Sequence, residues 1–457
     1  SRRQRQMCIR DSSLRNLTID TGSGNPGAIA VRWTNNNTGG LENVTIRSGD
    51  GQGAIGLDLS KKWTGPGYMK NLTIEGFDVG INGDNDVYNM VFEDLTLKNQ
   101  RVCGIRNRDY PMAVRRLHSK NTVPVLINED SPLETEFDGD TVISNRDTNS
   151  LVTIVDADFT GGTAEAAIEN LRGAVFLRNV RAEGYERLLN DQGRSFDSLY
   201  TEEYSTLYTV TAFEDSEKTS LNLPMEDTPA LPFSLIEAAD SADAAYVTDY
   251  GAVPGDDGDD SDGIQRAIDS GKKYVVLPNG TYHIGKTIHV RGNVNAVIGF
   301  ESVLHIDGTA AKNQFEGEDE GIFQIGDVSA PFVLFENLST AGGYHGCPYI
   351  FVHAARTPLV IRHMASHMTA DTAKAYRNTV TGGKVFADDT SLPIWLLDSQ
   401  TMYARQFNPE CRNTAAKVVN TGGDTVILGY KSEGNAAEVI SRRGARTEIV
   451  GGSVYPA

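Results

Sequence analysis

Apolar and polar positions return in a fixed word along the first half of the chain: Leu14-Arg-Asn-Leu-Thr-Ile-Asp20, Leu41-Glu-Asn-Val-Thr-Ile-Arg47, Met69-Lys-Asn-Leu-Thr-Ile-Glu75 and Phe92-Glu-Asp-Leu-Thr-Leu-Lys98. The starts lie 27, 28 and 23 residues apart. Each word alternates apolar and polar residues with the period of a strand, and Gly-, Asn- and Asp-rich stretches separate the words. Such a repeat predicts the coils of a right-handed parallel β-helix, each burying its inward residues only by stacking on its neighbours, at about 4.8 Å per coil. A leucine-rich repeat has a similar period, but it needs a Leu-x-x-Leu-x-Leu frame with a later Asn or Cys, whereas Asn16, Asn43 and Asn71 sit inside the word.

Further words occur at Val114-Arg-Arg-Leu-His-Ser119, Val152 to Phe159 and Phe176-Leu-Arg-Asn-Val-Arg181. Residues 206–245 then carry acids and the prolines Pro224, Pro229 and Pro232, which reads as an extended linker over the surface. From Tyr246 a second array opens with a short strand, a Gly/Asp loop and one amphipathic helix, capped by Asp260 or Ser261, with Ile264, Ala267 and Ile268 on one face. Strand words alone fill the rest of the chain. The expected organisation is thus all-β: a first β-helix over 14–205, a linker over 206–245 and a second β-helix over 246–457, opened by a short capping helix.

The first thirteen residues, SRRQRQMCIRDSS, are basic, lack the apolar stretch of a signal peptide and do not share the pattern of the strand words after them. They resemble a translated adapter remnant, so 1–13 is expected to be a non-native leader and the chain a fragment, with the opening of its first helix and its last coils missing. Composition changes the picture in two ways. The 46 glycines suit many tight turns, and the formal charge of −19 disfavours nucleic acid and anionic membranes, both of which bind basic surface. No run of 18 apolar residues could span a bilayer. Cys8, Cys103, Cys347 and Cys411 are far apart and form no metal or disulfide pattern. A neutral substrate therefore fits better than a polyanion, neither nucleic acid nor membrane is expected as a partner, and a monomer is expected.

The run D249-Y-G-A-V, D259-D-S-D-G-I-Q-R-A-I268 and Y274-V-V-L-P-N-G-T-Y-H-I284 closely resembles the opening of the pectate-lyase-like β-helix superfamily. That superfamily holds lyases, hydrolases, epimerases and phage tailspikes, so the resemblance implies a fold and not a chemistry. Two such helices on one chain resemble glycoside hydrolase family 55, the exo-acting, inverting β-1,3-glucanases, whose active site lies between paired helices. In A404-R-Q-F-N-P-E410 and V426-I-L-G-Y-K-S-E-G434, Glu433 matches that family's general acid and Glu410 its second, water-holding glutamate. The resemblance implies a secreted or cell-surface hydrolase of β-1,3-glucan that uses no cofactor.

The residues also speak for themselves. Glu410 and Glu433 are one coil length apart, so their backbones can stack at about 5 Å. An inverting pair needs carboxyls about 6.5 to 9.5 Å apart, a retaining pair about 5 to 5.5 Å. With 61 acids in the chain, one-coil pairs also arise by chance, and Glu438 and Glu448 are the obvious decoys, the latter expected to face outward or to pair with Arg446. Substrate contacts are expected from Gln100, which could hold the attacking water or simply belong to an amide ladder inside the coil, and from Arg405 and Tyr430, which flank the two glutamate segments. Trp33, Trp395 and Tyr403 are stacking candidates, although most aromatics in such a fold are core. His363-x-x-x-His367 has metal spacing only if helical, and it reads as strand. The sequons at Asn16, Asn43 and Asn71 read as ladder positions rather than glycan acceptors. Competing readings are a polygalacturonase of family 28, whose N-T-D, G-H-G and R-I-K signatures are absent, a pectate lyase, and a non-catalytic glycan-binding tailspike.

Overall fold

The computed structural model describes residues 13–61, 64–84, 88–129, 135–137, 140–142, 150–207, 220–306, 314–315, 319–342, 349–368, 374–411 and 414–455. The proposed leader, save Ser13, and Cys347 lie outside these residues. The repeated words form strands Ser13–Asp20, Gly40–Arg47, Gly67–Glu75, Met90–Lys98 and Met112–Lys120, parallel neighbours in one sheet that continues through Leu151–Thr160 and Ala174–Ala182. Between words the chain crosses to a second sheet, from Ile29–Arg32 through Val79–Asp84 and Cys103–Arg108 to Arg187–Asp191, and returns. Both sheets are parallel apart from antiparallel strands at one end, Tyr200–Ser205 and Arg194–Phe196. This alternation is a parallel β-helix. Residues 221–455 repeat it: one sheet runs from Ala244–Tyr246 to Arg446–Tyr455 and the other from Ile288–Gly292 to Ala437–Arg442.

The inward residues stack in register, as Leu41 on Met69 on Phe92 and Val44 on Leu72 on Leu95, all of them buried. Their spacing within a word is not a strict alternation. Leu41, Val44 and Ile46 point inward because Asn43, one of the two residues between Leu41 and Val44, takes a left-handed backbone with φ 55. The same conformation recurs at Asn16, Asn71, Asp94, Arg116, Asp156 and Asn179, turning every coil at one corner. Asn tolerates this region better than most residues. The side chains then bond along the stack: Asn43 Nδ2 donates to Asn16 Oδ1 at 3.0 Å and Asn71 Nδ2 to Asn43 Oδ1 at 2.8 Å. The asparagines of the repeated word are thus a corner ladder.

The residue after each word's first apolar position forms a second ladder, of alternating charge. Arg15, Glu42, Lys70, Glu93 and Arg115 are successive register partners. In the second array Glu336, Arg362, Asp388 and Arg405 repeat the pattern, with Arg362 Nη2 2.6 Å from Glu336 Oε2. Opposite charges on adjacent strands attract where like charges would repel, which fixes the register of coils that hydrophobic stacking alone could let slip.

By compactness the chain divides into one unit of Ser1–Ser220 with Leu428–Tyr430 and Val450–Ser453, and another of Leu221–Ile427 with Lys431–Ile449 and Val454–Ala457. In the second unit the predicted helix spans Ser261–Asp269 and buries Ile264, Ala267 and Ile268. Asp260 precedes it but does not cap it with its side chain: the carboxylate accepts the N–H groups of Val253 and His283, tying the opening loop to the first coil. A second short helix, Leu235–Ala239, is absent from the sequence reading; Ser234 and Glu237 form its capping box. The segment before it is strapped down. Leu223, Met225, Leu231 and Leu235 pack on an apolar row of Tyr274, Ala296, Leu334, Val360, Phe386 and Tyr403, while Glu448 accepts the N–H groups of Asn222 and Leu223 at 2.9 Å each. Glu448 therefore latches the strap and does not pair with Arg446, whose partner is Asp424. Among the described residues, no helix is long and apolar enough to cross a membrane.

Candidate active site

Strand Asp424–Glu433 carries Lys431 and, two residues on, Glu433, so both side chains lie on one face. Strand Thr401–Phe407 occupies the preceding coil of the same sheet, and Glu410 comes after it, outside any strand, beyond Asn408 and Pro409. Lys431 is 1% exposed; its ammonium donates to Glu410 Oε1 and to Glu433 Oε1, each at 2.7 Å. Glu410 and Glu433 are themselves 31% and 38% exposed. The structure therefore brings together the two glutamates that the sequence singled out and adds a residue that it missed. An ammonium shut away from water needs charged partners, and two carboxylates reaching in from solvent supply them.

The separation differs from the expected 6.5 to 9.5 Å. Two contacts of 2.7 Å to one nitrogen keep the facing Oε1 atoms within twice that distance, short of the lower edge of about 6.5 Å for an inverting pair. The cause is the lysine, which draws both carboxylates inward. Asn408 Nδ2 adds a contact of 3.3 Å to Glu410 Oε2.

Beside this triad lies a second one. Lys417, fully buried on strand Ala416–Thr421, bonds the hydroxyl of the buried Ser432 and lies 2.7 Å from Glu438 Oε1 on the adjacent strand Ala437–Arg442. The pair straddles the register partners Ala416 with Ala437 and Val418 with Val439. Glu438, a decoy in the sequence, is thus the counter-ion of a buried lysine. Burial pushes the thiol of the neighbouring Cys411 up, against the opposing influence of a backbone hydrogen bond at Ile394 and the Lys417 charge, so it remains a thiol and not a nucleophile at neutral pH. Both lysines are visible in the sequence only as residues flanking the glutamate segments; the signal is a lysine two residues before, or one coil before, a candidate glutamate.

The other predicted site residues do not join this cluster. Gln100 is buried inside the first array, its amide nitrogen donating to the carbonyls of Ile74, Gly76 and Lys98. It belongs to the interior ladder, not to a sugar or a water in a cleft. Arg405 is fully buried; it bonds the Glu226 carbonyl and lies 3.7 Å from Asp388 Oδ1, so it anchors the strap instead of facing a ring hydroxyl. Tyr430 is likewise buried. Trp33, Trp395 and Tyr403 are core: Trp395 stacks on Tyr376 with ring centroids 5.3 Å apart, and Tyr403 packs on Phe386. His363 lies in strand Leu359–Met368, with Nδ1 2.7 Å from Asp389 Oδ2, so its spacing to His367 is that of a strand and not of a helix.

Comparison with known proteins gives two likenesses. Residues 3–121 match the family described as rhamnogalacturonase A/epimerase, pectate lyase-like. The match falls on the first coils and begins inside the stretch read as a leader, whereas the superfamily's opening pattern was recognised in the second array. Among solved structures, an iota-carrageenase of glycoside hydrolase family 82 from A. fortis, determined in the absence of chloride ions, is similar at 14% identity and a TM-score of 0.29, over 43% of this chain and 57% of that one. The chain thus spans little more than half the length of that enzyme. No curated protein matches. The family match supports a carbohydrate-active β-helix protein.

Proposed function

We propose that the protein is a polysaccharide hydrolase that cleaves a neutral β-glucan, with Glu433 and Glu410 as its carboxylate pair. One observation carries the reading: two glutamates from adjacent coils, each about a third exposed, converge on a single buried lysine. Glycosidic hydrolysis needs two carboxyl groups on either side of the scissile bond, one to protonate the leaving oxygen and the other to activate water or to attack the sugar. Partial exposure lets a substrate reach them, and a rigid sheet holds one of the two. The β-1,3 linkage and exo action rest on the resemblance to family 55. Inversion requires the pair to part far enough to admit a water, whereas retention uses a gap of about 5 to 5.5 Å.

The test is reducing-sugar release from laminarin, with cellulose and polygalacturonate in parallel and proton resonance of the first anomer released. Laminarin should be cleaved and the other two spared. Glu433→Gln should lower turnover by about 10²- to 10⁴-fold, because an amide of the same shape delivers no proton. An activated glucosyl fluoride, which needs no such proton, should be turned over by Glu433→Gln and not by Glu410→Gln. Full activity in Glu433→Gln would remove the assignment, and fluoride rescue in the opposite order would exchange the two roles.

A further inference from the structure

We propose that Lys431 is the positioning residue of this site: it docks Glu410, which lies outside any strand, against the strand-borne Glu433 and so sets the gap in which the glycosidic oxygen is protonated. The inference rests on the hydrolase reading and extends it to a residue that the family resemblance does not mark.

The two carboxylates are held unequally. Glu433 closes a ten-residue strand of a parallel sheet, and the next N–H, that of Gly434, bonds the Tyr455 carbonyl of the adjoining strand at 3.1 Å. Glu410 lies three residues beyond the end of its strand, outside any strand, and its side chain is held by Asn408 at 3.3 Å and by Lys431 at 2.7 Å. Of these, the charge-assisted contact to the ammonium is the shorter and the stronger. Lys431 in turn cannot swing out, since it is 1% exposed and rooted in the same strand as Glu433. It is a fixed post to which a movable carboxylate is tied. The other buried lysine cannot replace it, because Lys417 is engaged by Ser432 and Glu438. With the cation removed, Glu410 keeps only its longer contact to Asn408 and is the one free to move away.

A positioning role has a kinetic signature distinct from loss of fold. Steady-state hydrolysis of laminarin would be measured for the wild type, Lys431→Met, Lys431→Arg and Lys431→Ala, with thermal unfolding followed for each. In Lys431→Met, kcat should fall by about 10²-fold, the cost of misplacing a reacting group by about 1 Å. KM should stay within about threefold, because uniform binding is untouched. Lys431→Arg, which keeps the charge and two donors, should retain part of the activity, and added propylammonium should restore Lys431→Ala at least partly by filling the vacated position. If the wild type is active and Lys431→Met matches it in kcat, the proposal is wrong while the hydrolase reading stands. Loss of activity in a folded Lys431→Met, with no activity in Lys431→Arg and none restored to Lys431→Ala by the amine, would show a purely structural lysine and would also overturn it. A wild type inactive on every polysaccharide of the panel would remove the hydrolase reading and this proposal together.

Discussion

Lys431 and His353 are both shut away from water, but they face opposite surroundings. Lys431 meets two carboxylates, whereas His353 meets only neutral groups: Nε2 lies 2.9 Å from the Thr357 carbonyl, and Nδ1 lies 2.7 Å from the Tyr376 hydroxyl and 3.2 Å from the Gln400 amide. Because a carbonyl only accepts, Nε2 must carry the proton and Nδ1 accepts, which makes the ring neutral. Burial lowers the His353 pKa to about 4. The unfolded chain therefore takes up a proton near pH 6.5 that the folded chain refuses until about pH 4. Stability from this group is complete above pH 6.5 and is withdrawn as the pH falls through 4, by roughly 3 kcal/mol in all. Urea midpoints measured from about pH 7.5 to about pH 4 for the wild type and His353→Gln should converge or cross as acid is added, since the glutamine cannot titrate. Parallel curves would contradict this account. At this scale the sequence was least legible. Glu410 and Glu433 were singled out by the resemblance to family 55, since one-coil pairs among 61 acids also arise by chance, whereas Lys431 was not, because what makes it special is burial between neighbouring coils. Gln100, Arg405 and Tyr430 were misplaced for the same reason: a polar or aromatic residue beside a candidate site looks the same in sequence whether it faces a substrate or the core.

At the scale of elements, the repeated word was read correctly as a strand, yet its geometry was not a plain alternation. Spacing of Leu41, Val44 and Ile46 at three and then two residues requires one residue out of period, and the left-handed Asn43 provides it. An Asn or Asp in the third place of the first four words is the sequence trace of that corner, a place that Arg116 fills in the fifth. The strap over residues 221–235 was legible only as proline-rich and acidic, because the row that holds it is assembled from separate coils through Tyr274, Ala296, Leu334, Val360, Phe386, Tyr403 and Val426. Its latch is testable. Glu448→Ala leaves the Asn222 and Leu223 N–H groups without their carboxylate, and hydrogen bonds to a charged group are worth about 1.5 to 3 kcal/mol each before water replaces part of the loss. The variant should lose about 2 kcal/mol of stability and become sensitive to protease within residues 220–234, while Glu448→Gln, which keeps one acceptor, should lie between. A variant as stable and as protease-resistant as the wild type would mean that the apolar row alone holds the strap.

For the whole molecule, the decisive quantity is charge. A chain with 61 acidic and 42 basic residues, carrying −19 at neutral pH, repels polyanions over distances comparable to the Debye length, about 10 Å at 0.1 M salt. Many cations that could offset this are already committed: the alternating ladder pairs Arg362 with Glu336 and Arg115 with Glu93, and the site lysines are buried under carboxylates. One β-helix fold can serve neutral and acidic polysaccharides alike, so charge separates the readings in a way that the fold cannot. Titrated calorimetrically at low ionic strength, iota-carrageenan and polygalacturonate should show no binding, or binding that strengthens as salt screens the repulsion. Laminarin, being neutral, should bind with an affinity that changes little between about 20 and 200 mM salt, a range over which the screening length shortens about threefold. Tight polyanion binding at low salt, weakening as salt is added, would require an exposed basic groove, and would move the substrate from neutral glucan to an acidic or sulfated glycan.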